Sequence, residues 1–264
     1  MISCLSGNHL THLNILTPSS TEPFSGSSFA TAIILAAGSG SRMQSRVKDK
    51  LLAPLNGLPV VCHSIRAFIT SGCVQQFTIV YRDEKQKAAL QESLKSIDLK
   101  QLPITWTKGG DRRQDSVHQA LLSQSKSCSH VFIHDGARPL VSSDSLRRLH
   151  KTVLKDDSAT LAHPVIDTIK RIPETRELAK ATLNDLDRSR LWAVETPQAF
   201  DLKLILKAYE YVNETGLQIT DDTAAISAIG LGTTLVPNDT TNLKITRPED
   251  LDYAEWKLRS CTGS

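Results

Sequence analysis

The chain has 264 residues, with 31 Lys and Arg residues against 28 Asp and Glu residues, and 40% of its residues are hydrophobic. This balance is ordinary for a globular protein and excludes a wholly disordered, collagen-like or coiled-coil chain. The formal net charge of +3 is spread along the sequence, so it predicts no basic face for duplex nucleic acid. The most apolar run, residues 31–37, is too short to cross a bilayer. We therefore expect a globular protein that binds neither nucleic acid nor a membrane.

The cysteines and the N-terminal residues bear on the cellular compartment of the protein. The five cysteines form no CxxC pair and no zinc-type cluster, and an odd count without a signal peptide predicts reduced thiols in a cytoplasmic protein. Residues 1–29 are rich in Ser and Thr and contain no Lys or Arg, so they fit neither a secretory signal nor an Arg-rich transit peptide. We expect a disordered extension over residues 1–29 and one folded domain over residues 30–264.

The apolar pattern predicts strands and helices that alternate along the first part of the chain. Short apolar runs predict strands at residues 32–36, 77–81, 104–107 and 130–134. Helical spacing predicts helices at residues 60–69, 85–96, 115–122 and 143–154. Asp115 is the expected N-cap of the third helix. This alternation is typical of βα units that form a mainly parallel sheet.

The alternation stops between residues 163 and 195. Residues 163–171 and 190–195 have strand-like patterns with a polar segment between them, which predicts an antiparallel arm. Further on, the pattern predicts helices at 202–212 and 221–229, strand pieces at 233–236 and 242–245, and a closing helix from Pro248. The predicted fold is therefore a single α/β domain, with a mainly parallel sheet and an antiparallel β-arm projecting at about residues 163–195.

A glycine-rich turn follows the first predicted strand, in the run Leu35-Ala-Ala-Gly-Ser-Gly-Ser-Arg42-Met43. Glycines let backbone N–H groups approach an anion closely, so such a turn suits a phosphate. The run lacks the third glycine of a dinucleotide fingerprint and the Gly-Lys-Ser/Thr of a Walker loop. Taken alone, it leaves a phosphate site and a plain turn both open.

Segments further along the chain help to decide between a phosphate site and a plain turn. Lys50 is followed by Pro54-Leu-Asn-Gly-Leu-Pro-Val60, and with the glycine turn this resembles the signature of sugar-phosphate nucleotidyltransferases. Later segments are similar to those of the cytidylyltransferase family that acts on 2-C-methyl-D-erythritol 4-phosphate in non-mevalonate isoprenoid biosynthesis. These segments begin at Gly109, His134, Asp167, Asp187, Thr196, Thr220 and Asn242. They occur in order over about residues 31–258, and the resemblance implies a Rossmann-like nucleotidyltransferase domain.

The resemblance implies a reaction and a set of site residues. The acceptor's phosphate attacks the α-phosphorus of CTP and pyrophosphate leaves, with Mg²⁺ bound mainly through the CTP phosphates and no dedicated protein metal site. Charge accumulates on the phosphates, so cations that do not easily lose their charge, such as Arg and Lys, suit this reaction. The implied catalytic residues are Arg42, Lys50 and Lys244. The implied nucleotide contacts are Ala36, Ala37, Gly38, Ser39, Gly40, Gly109, Gly110, Asp111, Ser116, Asp135 and Ala137, and the implied acceptor contacts are Asp135, Arg138, Thr168, Arg188 and Thr196.

One stretch departs from the family pattern. The family has Pro-Lys-Gln with its Lys seven residues after the Arg, whereas here Lys48-Asp49-Lys50 puts Lys50 eight residues after Arg42. Counting forward from Arg42 places Asp49 at the catalytic position, and counting back from Pro54 places Lys50 there. We choose Lys50, because an acid beside a triphosphate would repel it and a loop accepts a one-residue insertion at little cost. Lys48 is the alternative.

The resemblance also implies a homodimer in which the arm crosses to the other subunit, so that Thr168 and Arg188 serve the partner's site. Two other functions stay open. Ribitol 5-phosphate cytidylyltransferases share nearly every motif, and their acceptor differs from methylerythritol phosphate only by a branch methyl and its hydroxyl pattern. A nucleotide-binding homologue without turnover is the second, and the Lys48–Lys50 stretch is the feature that favours it.

Overall fold

A computed structural model describes residues 29–38, 49–174 and 178–261. The predicted N-terminal extension therefore lies outside the described residues, apart from Phe29. Of the predicted site residues, Ser39, Gly40 and Arg42 also lie outside them, as does the alternative lysine, Lys48.

Seven strands form the central sheet, and two short antiparallel pairs lie beside it. The strands of the central sheet are β1 (Phe29–Leu35), β4 (Gln76–Tyr81), β5 (Ile104–Lys108), β6 (Cys128–Asp135), β7 (Ser158–Pro164), β10 (Trp192–Asp201) and β11 (Thr234–Pro237). The short pairs are β2 (Pro54–Leu55) with β3 (Leu58–Pro59), and β8 (Lys170–Arg171) with β9 (Asn184–Asp185). The α-helices of the described residues are α1 (Val60–Ser71), α2 (Glu84–Leu94), α3 (Arg113–Leu122), α4 (Ser143–Asp156), α5 (Leu202–Glu214), α6 (Asp222–Ala228) and α7 (Pro248–Cys261), and a short 3-10 helix spans Arg188–Arg190.

The central sheet is mainly parallel, as predicted. Its order is β11-β7-β10-β6-β1-β4-β5, and only β10 runs antiparallel to its neighbours β6 and β7. The pairs β1–β4, β1–β6, β4–β5 and β7–β11 are parallel. The carboxyl ends of β1, β4, β5 and β6 therefore lie together at one edge of the sheet.

Helices cover both faces of the sheet. Successive side chains of a strand point to opposite faces, so neighbouring residues of one strand pack against different helices. In β1, Ile33 packs with Val117 of α3 and Tyr209 of α5. The next residue, Ile34, packs on the other face with Phe68 of α1. All five of these side chains are fully buried. This explains why β1 has a continuous apolar run rather than an alternating pattern.

Local signals fix two helix ends, and three expectations are wrong. Helix α1 ends at Gly72, whose φ of +69° closes the helix with an N–H bond to Ile69 O. Asp221 is the N-cap of α6 and accepts a hydrogen bond from Ala224 N. Asp115 is not an N-cap, because α3 already begins at Arg113; its carboxylate instead accepts a hydrogen bond from Arg112 N, 3.0 Å away.

The other two wrong expectations concern predicted strands near the arm and the pocket. The strand predicted over residues 163–171 is interrupted: β7 ends at Pro164, and Lys170–Arg171 pairs separately with β9 in the exposed arm. Residues 242–245, all of which are described, form a loop rather than a strand. Ile245 N in that loop donates to Ala137 O, 2.8 Å away, which brings the loop to the end of β6.

Candidate active site

A pocket of about 570 Å³ opens at the carboxyl ends of β1, β4, β5 and β6. Open parallel sheets bind ligands at this edge. Its walls come from the turn after β1, the β5–α3 turn, the end of β6 and the loop before α7. The predicted site residues that line it are Ala37, Gly38, Lys50, Gly110, Asp111, Ser116, Asp135, Ala137 and Lys244.

Asp135 is the central carboxylate of the pocket. Lys244 Nζ lies 2.7 Å from Asp135 Oδ2, and the Nε atoms of Arg113 and Arg138 each lie 3.9 Å from one of its oxygens. Burial alone would raise the pKa of Asp135, but the charges of Lys244 and Arg113 and the hydrogen bond from Lys244 lower the pKa to about 2. Asp135 is therefore ionised at neutral pH and holds Lys244 at the pocket.

Two lysines from distant parts of the sequence meet at this pocket. Lys50 Nζ donates a hydrogen bond to Ile245 O, 2.8 Å away, and Ile245 directly follows Lys244. Asp49 does not line the pocket; its carboxylate accepts from Gln86 Nε2 at 2.6 Å and from Leu51 N at 3.0 Å. Of the two described residues that could occupy the catalytic position, Lys50 faces the pocket and Asp49 faces helix α2.

The β5–α3 turn depends on two glycines. A Cβ on Gly109 would lie 2.7 Å from Ala37 Cβ and 2.9 Å from Ser116 Oγ, and a Cβ on Gly110 would lie 2.6 Å from Asp115 Cβ. Gly110 N donates to Ser116 Oγ at 3.0 Å, which fixes the turn against α3. The backbone therefore approaches the end of β1 more closely than any residue with a side chain allows.

Two of the predicted nucleotide contacts lie behind the pocket wall. Gly109 N is bonded to Tyr81 O at 2.8 Å, and Ala36 N to Val80 O at 2.9 Å. Ala36 is fully buried, and its carbonyl accepts from Gln86 Nε2. In this arrangement, both residues support the wall that Ala37 and Gly110 present.

The predicted acceptor contacts divide into two groups. Thr196 and Arg138 lie beneath Asp135: Thr196 Oγ1 accepts from Asp135 N at 3.0 Å, and Arg138 donates to Asn242 O at 2.6 Å. Thr168 and Arg188 lie on the exposed arm, where Arg188 donates to Ile166 O at 2.9 Å. None of these four predicted residues lines the pocket of its own chain.

Arg113 lines the pocket but was not predicted from the sequence. It forms two hydrogen bonds with Asp222, at 2.9 Å and 2.7 Å, and Asp222 also accepts from Tyr209 OH at 2.6 Å. Burial alone would lower the pKa of Arg113, but the fully buried carboxylate of Asp222 raises it. The available signal was Asp222 itself, which lies at the start of the helix predicted over residues 221–229.

A second unpredicted residue holds the loop that carries Lys244. Glu195, buried in β10, accepts from Asn238 Nδ2 at 2.8 Å and Asn242 Nδ2 at 3.1 Å. Asn242 also donates to Thr196 O at 2.8 Å. A buried carboxylate needs partners of this kind. The loop is therefore tied to β10 on the side away from the pocket.

Neither a protein-only metal centre nor a membrane span is found in the part of the chain that is described. No three His, Cys, Asp or Glu side chains gather there in a group that could hold a metal ion. No helix there is both long enough and apolar enough to cross a membrane.

Comparisons with known proteins agree with the geometry. The family model for 2-C-methyl-D-erythritol 4-phosphate cytidylyltransferase matches residues 30–260. The curated enzyme of that name from Caldanaerobacter subterraneus is 36% identical over 229 residues, covering 87% of this chain and 98% of the relative. The enzyme of that name from Desulforamulus reducens is 38% identical over 232 residues, covering 87% and 97%. A crystal structure of the Thermus thermophilus enzyme aligns with a TM-score of 0.69 at 27% identity, covering 88% of this chain and 99% of that one. The chain belongs to the 2-C-methyl-D-erythritol 4-phosphate cytidylyltransferase family.

Proposed function

We propose that this protein transfers CMP from CTP to 2-C-methyl-D-erythritol 4-phosphate, giving 4-diphosphocytidyl-2-C-methyl-D-erythritol and pyrophosphate, in isoprenoid precursor biosynthesis. The observation that carries the proposal is the meeting of Lys50 and Lys244 beside Asp135, in a pocket walled by the Gly110 turn. Family membership supplies the identity of the two substrates.

The reaction exchanges one phosphoanhydride bond for another. An oxygen of the acceptor's phosphate forms a bond to the α-phosphorus of CTP, and the bond from that phosphorus to the bridging oxygen breaks, so pyrophosphate leaves with the electron pair. Negative charge grows on the α-phosphate oxygens and on the leaving group. Lys50 and Lys244 donate hydrogen bonds where this charge develops. Arg42, which lies outside the described residues, is proposed as the third cation.

The nucleotide is selected by the backbone around the β5–α3 turn. Gly110 lines the pocket and Gly109 lies directly behind it, so peptide groups rather than side chains are presented to the base. Gly109 N and Gly110 N are already bonded to Tyr81 O and Ser116 Oγ, so in this proposal the carbonyl oxygens of the turn accept from the amino group of cytosine. The close packing against Ala37 supports discrimination against the larger purines.

Mg²⁺ is the proposed cofactor. The carboxylates lining the described pocket are Asp111 and Asp135, and Asp135 is already held by Lys244. This donor set fits an ion that takes most of its ligands from phosphate oxygens and water, as Mg²⁺ does at many phosphate sites. Asp135 is its proposed protein ligand. When bound, the ion neutralises charge on the triphosphate.

A homodimer completes the acceptor site in this proposal. Ile166, Leu178 and Leu183 on the arm are 83%, 75% and 57% exposed, which supports burial against another chain. Thr168 and Arg188 would then reach the partner's pocket. Cys62, Cys73 and Cys128 are buried free thiols, which supports a cytoplasmic location.

Mixing two inactive variants tests this crossed arrangement. Lys244→Ala damages the pocket of its own chain and Arg188→Ala damages the arm. If the arm crosses, mixed dimers carry one site with both parts intact, and about a quarter of all sites in an equal mixture recover activity. A mixture that stays as inactive as the two separate variants contradicts the crossed arm.

The activity itself is tested by pyrophosphate release from CTP and Mg²⁺ with methylerythritol phosphate or ribitol 5-phosphate. Preference for methylerythritol phosphate supports the proposal. Preference for ribitol 5-phosphate would identify that compound as the acceptor instead. CTP binding without release for either acceptor supports the non-catalytic homologue. Lys244→Ala should abolish most of the release, whereas Lys151→Ala, which removes an exposed lysine on α4, should leave it unchanged.

A further inference from the structure

Asp49, the acid in the stretch that departs from the family pattern, is held by three groups. Gln86 Nε2 lies 2.6 Å from Asp49 Oδ2, Leu51 N lies 3.0 Å from Oδ1, and Arg82 lies 3.6 Å from Oδ2. The Asp49 side chain is only 10% exposed. A nearly buried carboxylate with this many donors is fixed in one direction, toward α2.

Gln86 can hold Asp49 in only one orientation. Its Oε1 accepts from Arg82 N at 2.8 Å, so the amide cannot turn over without losing that bond. Its Nε2 donates to Ala36 O at 2.9 Å as well as to Asp49. Gln86 is 3% exposed and lies in the first turn of α2, whose N-cap is Asp83. The end of β1, the start of α2 and Asp49 are therefore joined through one buried amide.

This anchor sets the direction of the next residue. Asp49 faces α2, and Lys50 leaves the chain toward the pocket, where its Nζ reaches Ile245 O. We propose that Asp49 is a positioning residue that acts through Lys50: its anchor on Gln86 fixes the backbone from which Lys50 reaches the α-phosphate. This inference rests on the proposed function and assigns a role to the acid that the family pattern does not contain.

The opposing interpretation makes Asp49 simply an unfavourable charge near a triphosphate. The two interpretations predict opposite signs for Asp49→Asn. If Asp49 only repels the nucleotide, removing its charge raises kcat/KM for CTP. If Asp49 positions Lys50, the variant keeps only one acceptor oxygen, so an amide N–H faces the N–H of either Gln86 or Leu51; one of the two bonds and the charge pairing with Arg82 are lost, and kcat falls.

The experiment measures kcat and the KM for CTP in Asp49→Asn, with and without Lys50→Ala. Since small misplacement of a catalytic group costs one to two orders of magnitude, we expect kcat to fall about tenfold with the KM for CTP within about twofold. In the Lys50→Ala background, Asp49→Asn should have almost no further effect. Gln86→Met removes the same anchor from the other side, and its effect should not add to that of Asp49→Asn.

Three results overturn the inference: an unchanged or raised kcat in Asp49→Asn, an equal fall in both Lys50 backgrounds, or additive effects of Asp49→Asn and Gln86→Met. Glu92→Gln is the matched control, because it removes an exposed carboxylate from α2 that pairs only with Lys95 in the described chain; its kcat should equal that of the unmodified protein. Failure of the unmodified protein to release pyrophosphate would instead contradict the proposed function.

Discussion

His134, beneath the pocket, should make stability depend on pH. Its ring is fully buried in β6, with Nε2 3.3 Å from Arg138 O and Nδ1 3.3 Å from Thr196 Oγ1. It packs edge-on against Phe68 with the ring centroids 5.6 Å apart. Burial lowers the pKa of His134 to about 4, and the nearby charge of Asp135 offsets this only partly. The native protein therefore keeps His134 neutral well below its ordinary pKa.

The sign of the effect follows from which state binds the proton. Below about pH 6.5 the unfolded chain protonates this histidine, whereas the native protein resists protonation until about pH 4. The contribution to stability is therefore complete above the unfolded pKa and is lost as the pH falls from about 6.5 to about 4. At about 1.4 kcal/mol for each pKa unit, the full loss is roughly 3–4 kcal/mol, and roughly 2–3 kcal/mol of it is reached by pH 4.5.

The assay compares urea unfolding of the unmodified protein and His134→Gln at pH 7.5 and pH 4.5, at one protein concentration. The glutamine is uncharged at both values, so the variant should lose roughly 2–3 kcal/mol less stability between them. Burial also lowers the pKa of His63, His130 and His150, but these residues are present in both proteins, so their effect cancels in the comparison. Equal losses in the two proteins would refute the reasoning.

Three further predictions concern the pocket. Gly109→Ala should raise the KM for CTP about tenfold in steady-state assays, because the added Cβ displaces the turn that presents the base-reading peptide groups. Asp222→Asn should lower the free energy of unfolding by about 3 kcal/mol, since it leaves Arg113 without its buried partner, whereas Glu255→Gln at a surface ion pair should change it by less than about 0.5 kcal/mol. Lys244→Ala should lower kcat by about 10²–10³, as removal of one group that stabilises a developing oxyanion does, and a smaller loss measured by pyrophosphate release would contradict its catalytic role.

The sequence predicted the sheet well because its strands are buried on both faces. A continuous apolar run such as residues 32–36 is stable only when it is buried in the core. Gly72 ends helix α1 in a left-handed conformation that residues other than glycine rarely adopt. The failures occur where a local signal competes with a distant contact. Residues 242–245 have a strand-like pattern, yet Asn242 is bonded to Glu195 and Thr196, so the segment folds over the pocket as a loop.

The candidate site was predictable in its motifs but not in its supports. The glycines, the lysines and Asp135 stand in recognisable runs, and their resemblance to a family supplied their roles. Arg113 and Asp222 are 109 residues apart, and nothing local in either segment indicates that they pair. For Asp49, the sequence offers only its charge, which indicates an acid unsuited to a triphosphate. Its contact with Gln86 depends on α2 packing against the end of β1, which no local pattern encodes.

In the proposed reaction, the described pocket receives two anionic substrates among cations that are already held in place. Its lining contains five basic side chains, and each has a fixed partner: Arg112 with Asp115, Arg113 with Asp222, Lys244 with Asp135, Arg82 with Asp83, and Lys50 with a backbone carbonyl. Donors that are oriented before the substrate arrives need little reorganisation when charge develops in the transition state. The partners reduce the net charge of the site without removing its directed N–H groups. Catalysis of phosphoryl transfer depends on those directions, and for this reason a chain whose overall charge is close to neutral can still stabilise a triphosphate.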